Sequence, residues 1–502
     1  MMEYSRQIER WGMLEVTVPG PMEGNPFTEQ WIKGTFTNHI QTVDVTGFYD
    51  GEGKYKVGFM PSYEGEYTFT IQGSFLEEIC EGSITVTPAG KGNHGPVRVA
   101  YTYHFSYEDG TPYYPVGTTC YVWTHQSEVI QEKTLNELSK GYFNKIRFCI
   151  FPKHYIYNFH EPITYPYEGT PCDTEGMTWK NFREYTMQDH GNHWDLYRFN
   201  PKHFQHIEEC IVKLQEIGVE ADLIVMHPYD RWGFSKMNAE QDDLYWNYIV
   251  NRFSAYRNVW WSFANEWDLL REKTVADWER YAEIVCKNDP YQHLRSIHNC
   301  YTAYDYTRPW ITHCCMQNQP ESIPLEQTNR WRERYHKPII FDELCYEGNI
   351  AAGWGCITAQ EMTHRFWEIT LRGGYAGHGE TYVHSDDVLW WSHGGELHGG
   401  SPARIRFLLS ILKDLPKGGL VYAGGRACIN QQKQPNDRMM RLEYLGRMCP
   451  YQREYHLKEG SYHVEVIDTW NMTIEDRGTY GSEFVIDLPS KEFMAIRITQ
   501  IS

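Results

Sequence analysis

Between about residue 97 and residue 416 the chain repeats one alternation: a short apolar run, a stretch with helical spacing, then another apolar run. Buried strands joined by helices pair in parallel, because each helical crossover returns the chain to the same end of the sheet. Eight runs can be counted, at Tyr114–Trp123, Lys145–Phe151, Glu220–His227, Val259–Ala264, Leu294–His298, Trp310–His313, Pro338–Phe341 and Tyr375–Val383. Eight such units predict an α/β protein built on a (β/α)8 TIM barrel. The clearest helix has Asn200 as N-cap, Pro201 at its first position, Phe204, Ile207, Ile211 and Leu214 on one face, and Gly218 as its stop. A doubly wound open sheet is the competing arrangement, but no GxGxxG follows the first strand, which argues against a dinucleotide site.

The flanks have a different rhythm. Short alternating runs at Leu14–Val18, Thr35–Asn38, Tyr55–Met60 and Tyr67–Ile71 are separated by Gly-containing turns, which predicts an N-terminal β-sandwich over residues 1–95. Its end, Thr87 to Pro96, is dense in Gly and Pro and reads as a linker. The barrel then covers 96–416, and runs at Tyr462–Ile467, Glu483–Asp487 and Phe493–Thr499 predict a small C-terminal β-sandwich over 417–502.

The 502 residues carry a formal charge of −19, which repels phosphate backbones and anionic headgroups, so neither nucleic acid nor membrane is an expected partner. No apolar run approaches the roughly 18 residues of a membrane span. Met1 to Leu14 shows no apolar stretch ending in small residues, and most of the 13 cysteines sit inside apolar runs without any CxxC. These features predict a cytoplasmic protein with reduced thiols. Composition leaves self-association as a homo-oligomer open.

In a barrel of this kind the reacting groups emerge from the C-terminal ends of the strands. Two predicted strands end in carboxylates: the fourth runs into Asn265-Glu266, the seventh into Asp342-Glu343. An apolar strand ending in a charge is costly unless that charge meets a partner or a polar cleft. Two such ends around one mouth fit glycosidic cleavage, in which one carboxyl protonates the leaving oxygen and the other attacks or stabilises the oxocarbenium-like centre. Glu266 is assigned as acid/base and Glu343 as nucleophile, with Glu347 the rival for the second role.

The chain resembles the large clan of retaining glycoside hydrolases on (β/α)8 barrels, in Asn-Glu closing strand four and Glu closing strand seven. More closely, it is similar to apiosidase-like glycosidases. That resemblance is carried by Asp109-Gly110-Thr111-Pro112, Pro115 to Thr119, Asn265-Glu266, the stretch from Asp342-Glu343 to Tyr346-Glu347-Gly348, and the N-terminal segment from Phe48 to Pro61. It implies a retaining, exo-acting hydrolase of small glycosides or oligosaccharides. Where such proteins carry Gly-Asp-Thr, this chain has Gly117-Thr118-Thr119, which leaves the sugar open.

Further binding residues follow from the same reasoning. Asn265 is placed to donate to a sugar hydroxyl, and Arg147 on strand two to keep the nucleophile ionised. His227, His298, His313 and His378, at or near strand ends, would offer donors and acceptors to hydroxyls. Trp123, Trp390 and Trp391 are candidate stacking platforms, and the insertion from Pro152 to Asn200 is expected to wall the pocket. No HExxH occurs despite 22 histidines, so no metal and no cofactor is expected. The alternatives are a metal-dependent barrel hydrolase and a non-catalytic sugar-binding protein.

Overall fold

The computed structural model describes residues 2–186, 191–317, 326–385, 388–415, 418–430 and 438–501. At its centre is an eight-stranded, all-parallel sheet. Its strands are β1 (Val116–Thr119), β2 (Lys145–Cys149), β3 (Glu220–Met226), β4 (Val259–Ala264), β5 (Arg295–Ser296), β6 (Cys314–Gln317), β7 (Ile339–Glu343) and β8 (Tyr375–His378). They follow one another in the order β5-β4-β3-β2-β1-β8-β7-β6. The ring is nearly closed between β5 and β6 by a single parallel bridge from His298 to Cys315. Beside it the Ser296 hydroxyl stands in for a missing ladder rung, donating to the His313 carbonyl at 2.6 Å and accepting from the Cys315 N–H at 3.0 Å.

Helices connect every pair of neighbours in sequence except β5 and β6, among the described residues. The helix Pro201–Glu216 forms as its sequence dictates. Asn200 accepts from the Lys202 N–H at 3.2 Å, Phe204, Ile207, Ile211 and Leu214 are buried against β3, and Gly218 takes the left-handed turn at φ 72°. The sixth strand differs from expectation. It lies at Cys314–Gln317, one element beyond Trp310–His313. Trp310 and Ile311 belong to a turn closed by the Ile311 N–H on the Arg308 carbonyl, and the Trp310 ring stacks on Phe263 at 4.6 Å. The apolar run that suggested a strand is therefore packing beneath one.

The barrel interior carries buried charge. Lys145 on β2 donates to Asp222 on β3 at 2.6 Å and to Asp342 on β7 at 2.8 Å, all three being almost fully buried. Burial alone would strip Lys145 of its proton; the two carboxylates reverse that and hold it above the usual lysine range. Gly117 on β1 leaves room for it, since a Cβ there would lie 3.1 Å from Lys145 Cε. The end of the barrel opposite the strand termini is plugged by a small antiparallel sheet of Val97–Ala100, His104–Tyr107 and Pro112–Tyr113, whose Phe105 ring lies 5.5 Å from Trp260.

Before the barrel, a five-stranded and a three-stranded sheet share one apolar core, with Phe36 of the first stacked on Phe59 of the second at 4.1 Å. Asp50 and Glu208 both pair with Arg252 at 2.6 Å, tying this layer to the barrel helices. After the barrel, an antiparallel six-stranded sheet packs on the helix Ala359–Thr370 through Tyr444, which stacks on Trp367 at 5.3 Å. Among the described residues no helix is long and apolar enough to cross a membrane.

Replacing Lys145 by Met leaves two buried carboxylates without their cation. The expected cost is about 3–5 kcal/mol, read as a lowered midpoint of urea unfolding followed by tryptophan fluorescence.

Candidate active site

At the end of β4 the Asn265 N–H still bonds the Met226 carbonyl of β3 at 2.9 Å, and the next residue leaves the sheet abruptly. Glu266 takes a left-handed backbone, φ 56° and ψ 57°, which is disfavoured for any residue with a Cβ. The turn is held by the Trp267 N–H on the His298 carbonyl at 2.9 Å. Asp268 then accepts from the N–H groups of Cys300, Tyr301 and Thr302 at 2.6, 2.7 and 2.8 Å, fixing the loop that follows β5. The strained turn aims the Glu266 carboxylate over the barrel mouth, where it accepts from the Tyr229 hydroxyl.

Glu343 arrives by a different device. Met316 of β6 faces Phe341 whereas Gln317 faces Glu343, so β7 carries a bulge at Asp342. Simple alternation would put Asp342 and Glu343 on opposite faces; the extra residue lets both turn inward. Asp342 meets Lys145 below, and Glu343 reaches the mouth. Gly377 on β8 permits this, because a Cβ there would lie 2.8 Å from the Asp342 carbonyl oxygen.

Around Glu343 the groups are close. The Tyr121 hydroxyl donates to it and stands 3.0 Å from the Asn265 carboxamide oxygen. Arg147 Nη1 lies 3.4 Å from both the carboxylate and that hydroxyl. His298 Nε2 is 3.7 Å away, with its Nδ1 3.2 Å from Cys315 Sγ; burial lowers the imidazole well below its ordinary range, so it is neutral. Burial pushes the Glu343 carboxyl up to about 8, and the neighbouring Tyr346 opposes the shift.

The two glutamates line one cavity. Asn265, Gln317, Cys300 and Lys153 contribute polar atoms, and Tyr121, Tyr155, Tyr229, Tyr346, Trp354 and Trp391 form the aromatic walls. The walls are tied to the strand ends: the Tyr121 N–H bonds the Trp391 carbonyl at 3.0 Å, the Tyr346 N–H that of Trp354 at 2.7 Å, and the two indoles lie 5.0 Å apart.

Of the residues singled out in the sequence, Glu266, Glu343, Asn265 and Trp391 face this cavity, and Arg147 and His298 support Glu343 from below. The others lie elsewhere. His227 is buried at the end of β3 with Nε2 3.3 Å from the Phe151 carbonyl. His313 precedes β6 instead of ending it, so it sits at the plugged end, 5.8 Å from the Phe105 ring. His378 faces outward from β8, stacked on Phe143 at 4.7 Å and 3.0 Å from the Thr118 hydroxyl. Trp123 packs edge-on against Phe148, and Trp390 donates to Thr118 at 2.8 Å. The position at which the chain departs from Gly-Asp-Thr is thus occupied by a threonine that braces Trp390 and His378 behind the strand, away from the cavity. Of the Pro152–Asn200 insertion, Lys153 and Tyr155 line the cavity. Both lie where the sequence placed a pocket wall, whereas Tyr121, Tyr229 and Tyr346 were not singled out as cavity residues; Tyr229 was signalled only by its place just beyond the end of β3.

Glu347 points away from the cavity. Its carboxylate accepts from Gly400 N–H at 2.7 Å, Ser401 N–H at 3.0 Å and the Tyr382 hydroxyl at 3.1 Å. With His378 and Glu380 it forms a buried group whose donor atoms lie within 4.8 Å of one another, the spacing of a metal site. Backbone N–H groups of residues 398–401 already face every carboxylate oxygen. Such a shell stabilises anions and repels a cation, and burial pushes Glu380 up to about 8. The four N–H contacts make the pair of carboxyls a clamp on the 398–401 backbone, which leaves the group a poor fit for a metal.

If Arg147 helps to hold Glu343 as an anion, Arg147→Met should raise the Glu343 pKa above its starting value near 8. Difference infrared titration of the carboxyl band reads this directly.

Two family profiles match the ends of the chain: a domain of unknown function, DUF5060, over residues 7–74, and another, DUF5605, over residues 430–499. No curated protein matches the sequence. Among solved structures, a Bacteroides vulgatus ATCC 8482 protein provisionally described as a glycoside hydrolase is 35% identical, with a TM-score of 0.90 over 99% of this chain and 100% of its own. A second glycoside hydrolase (82% of this chain, 97% of its own) and a glycoside hydrolase family 5 protein from the same B. vulgatus strain (81% and 93%) are each 15% identical with a TM-score of 0.59, a likeness of fold. Identity at that level across essentially the whole of both chains means that this protein belongs to the same family as the first B. vulgatus protein, among the barrel-fold glycoside hydrolases.

Proposed function

We propose that the protein is a retaining, exo-acting glycoside hydrolase that cleaves small glycosides or oligosaccharides by double displacement. The observation that carries this reading is the convergence of Glu266 and Glu343 on one cavity from strands three positions apart in sequence. The two carboxyls have different surroundings: burial raises Glu343, so its anion depends on the groups beside it. Glu343 lies beside a buried guanidinium and a tyrosine hydroxyl, which favour its anion, and the cationic character developing on the sugar during attack favours it further.

In this mechanism the Glu343 carboxylate attacks the anomeric carbon while Glu266 gives its proton to the leaving oxygen. The ester that results removes the negative charge of Glu343. Glu266, now ionised, takes a proton from water as the water attacks the same carbon and frees Glu343. Asn265, beside the acid, donates to the hydroxyl adjacent to the reacting carbon. The crowded aromatic walls suit one terminal sugar, which supports exo-action, and the resemblance in sequence favours an apiosidase-like enzyme. Residues 96–416 are the catalytic unit in this proposal, flanked by 1–95 and 417–502, and the buried thiols support a cytoplasmic location.

Glu343→Ala is expected to abolish turnover of aryl glycosides, and azide to restore a glycosyl azide of inverted configuration. Glu266→Ala should slow substrates with poor leaving groups about 10²–10⁴-fold and spare activated aryl glycosides in the first step. Glu347→Gln should keep its turnover. Undiminished rates in Glu343→Ala, or an inverted product from the wild type followed by proton NMR, would overturn the mechanism. Sugar binding without turnover would favour a binding protein.

A further inference from the structure

The cavity contains a charge that the mechanism above does not use. Lys153 follows the end of β2, its carbonyl accepting from the Asn158 carboxamide and the next N–H, of His154, bonding the Tyr229 carbonyl at 2.8 Å. The backbone is therefore pinned on both sides, and the side chain, 4% exposed, is directed into the cavity. Its ammonium lies 3.3 Å from the centre of the Tyr121 ring, 4.3 Å from Tyr229, 5.3 Å from Trp391 and 5.8 Å from Tyr155. Two of these rings carry the hydroxyls that donate to Glu343 and Glu266.

Rings offer a cation only their quadrupoles, and among the described residues no carboxylate forms an ion pair with this ammonium. Burial accordingly lowers Lys153 to about 8, with Glu266 acting on it across the cavity in the opposite sense. The balance of charge during reaction sharpens the point. Arg147 is matched by Glu343, and Glu266 must be protonated, hence neutral, to act as acid. In the substrate complex before bond cleavage, with Glu266 still protonated, Lys153 is the uncompensated charge of the site. A buried charge without a counterion is unfavourable, and an anion supplied by the ligand removes that penalty.

We infer that the cavity takes a sugar bearing one anionic substituent, a carboxylate or a sulfate ester, and that the Lys153 ammonium pairs with it inside the aromatic box. This deepens the glycosidase reading and rests on it. The formal charge of −19 works against long-range attraction of such a substrate, so the selectivity is a contact effect within the cavity.

The test compares kcat/KM for aryl hexuronides, aryl sulfohexosides and neutral aryl hexosides of matched configuration, in the wild type, Lys153→Met and Lys153→Arg. The wild type should favour one anionic series by roughly tenfold or more, the order of one charge-assisted contact, and the responding series tells carboxylate from sulfate. Lys153→Met should erase the preference mainly through KM, and Lys153→Arg should retain part of it, which separates loss of charge from loss of folding. Equal turnover of neutral and anionic series by the wild type, or an undiminished preference in Lys153→Met, would sink the inference and leave the glycosidase reading intact. Absence of turnover on every series, together with Lys153-dependent calorimetric binding of free hexuronates or sulfated hexoses, would do the reverse.

Discussion

The charged column inside the barrel is what the rest of the site depends on. Lys145 and Arg147, two residues apart on β2, both face the axis; the first is matched by Asp222 and Asp342, the second stands under Glu343. In a medium of low polarisability none of these charges is tolerable alone, and removing one partner strands the others. The column therefore locks the relative heights of β2, β3 and β7. It also delivers positive charge to the floor of the cavity, where the carboxylate of Glu343 needs it. Neutral imidazoles above and below, His298 and His313, fill the remaining space without adding charge.

Above this floor the backbone departs from regular geometry at the two glutamates. Glu266 sits in a left-handed turn and Glu343 follows a bulge, and each departure re-aims one carboxyl toward the shared cavity. Departures of this kind persist only where the surroundings over-determine them. Here the surroundings are the Asp268 clamp on the loop after β5 and the close approach of β8 at Gly377. The walls are then completed by tyrosines whose hydroxyls reach the carboxylates and whose faces hold Lys153.

Carboxylates closing apolar strands were legible in the sequence because burying such a charge demands a reason, and a cleft is the commonest one. Histidines and tryptophans carry no comparable signal. His227 and Trp390 each satisfy a polar atom within the packed interior, and nothing in their spacing distinguishes that from a ligand contact. Tyr121, Tyr229 and Tyr346 were missed for the opposite reason: with 37 tyrosines in the chain, any one outside the Pro152–Asn200 insertion reads as ordinary core. Strand six was misplaced because Trp310-Ile311 is more strand-like in composition than the Cys314-Cys315-Met316 run that pairs with β7.

Sequence alone determined the alternation that winds eight strands into a parallel barrel, and the two acidic strand ends at Glu266 and Glu343. Both are local patterns of polarity, set by which residues can be buried at a given spacing. Tertiary structure decided which groups meet: that Glu343 and not Glu347 faces Glu266, that His313 lies at the plugged end, and that four rings surround Lys153. Those outcomes turn on a single bulge, a single left-handed residue and the register of strands far apart in the chain. One residue of shift in any of them exchanges the inside of the barrel for the outside.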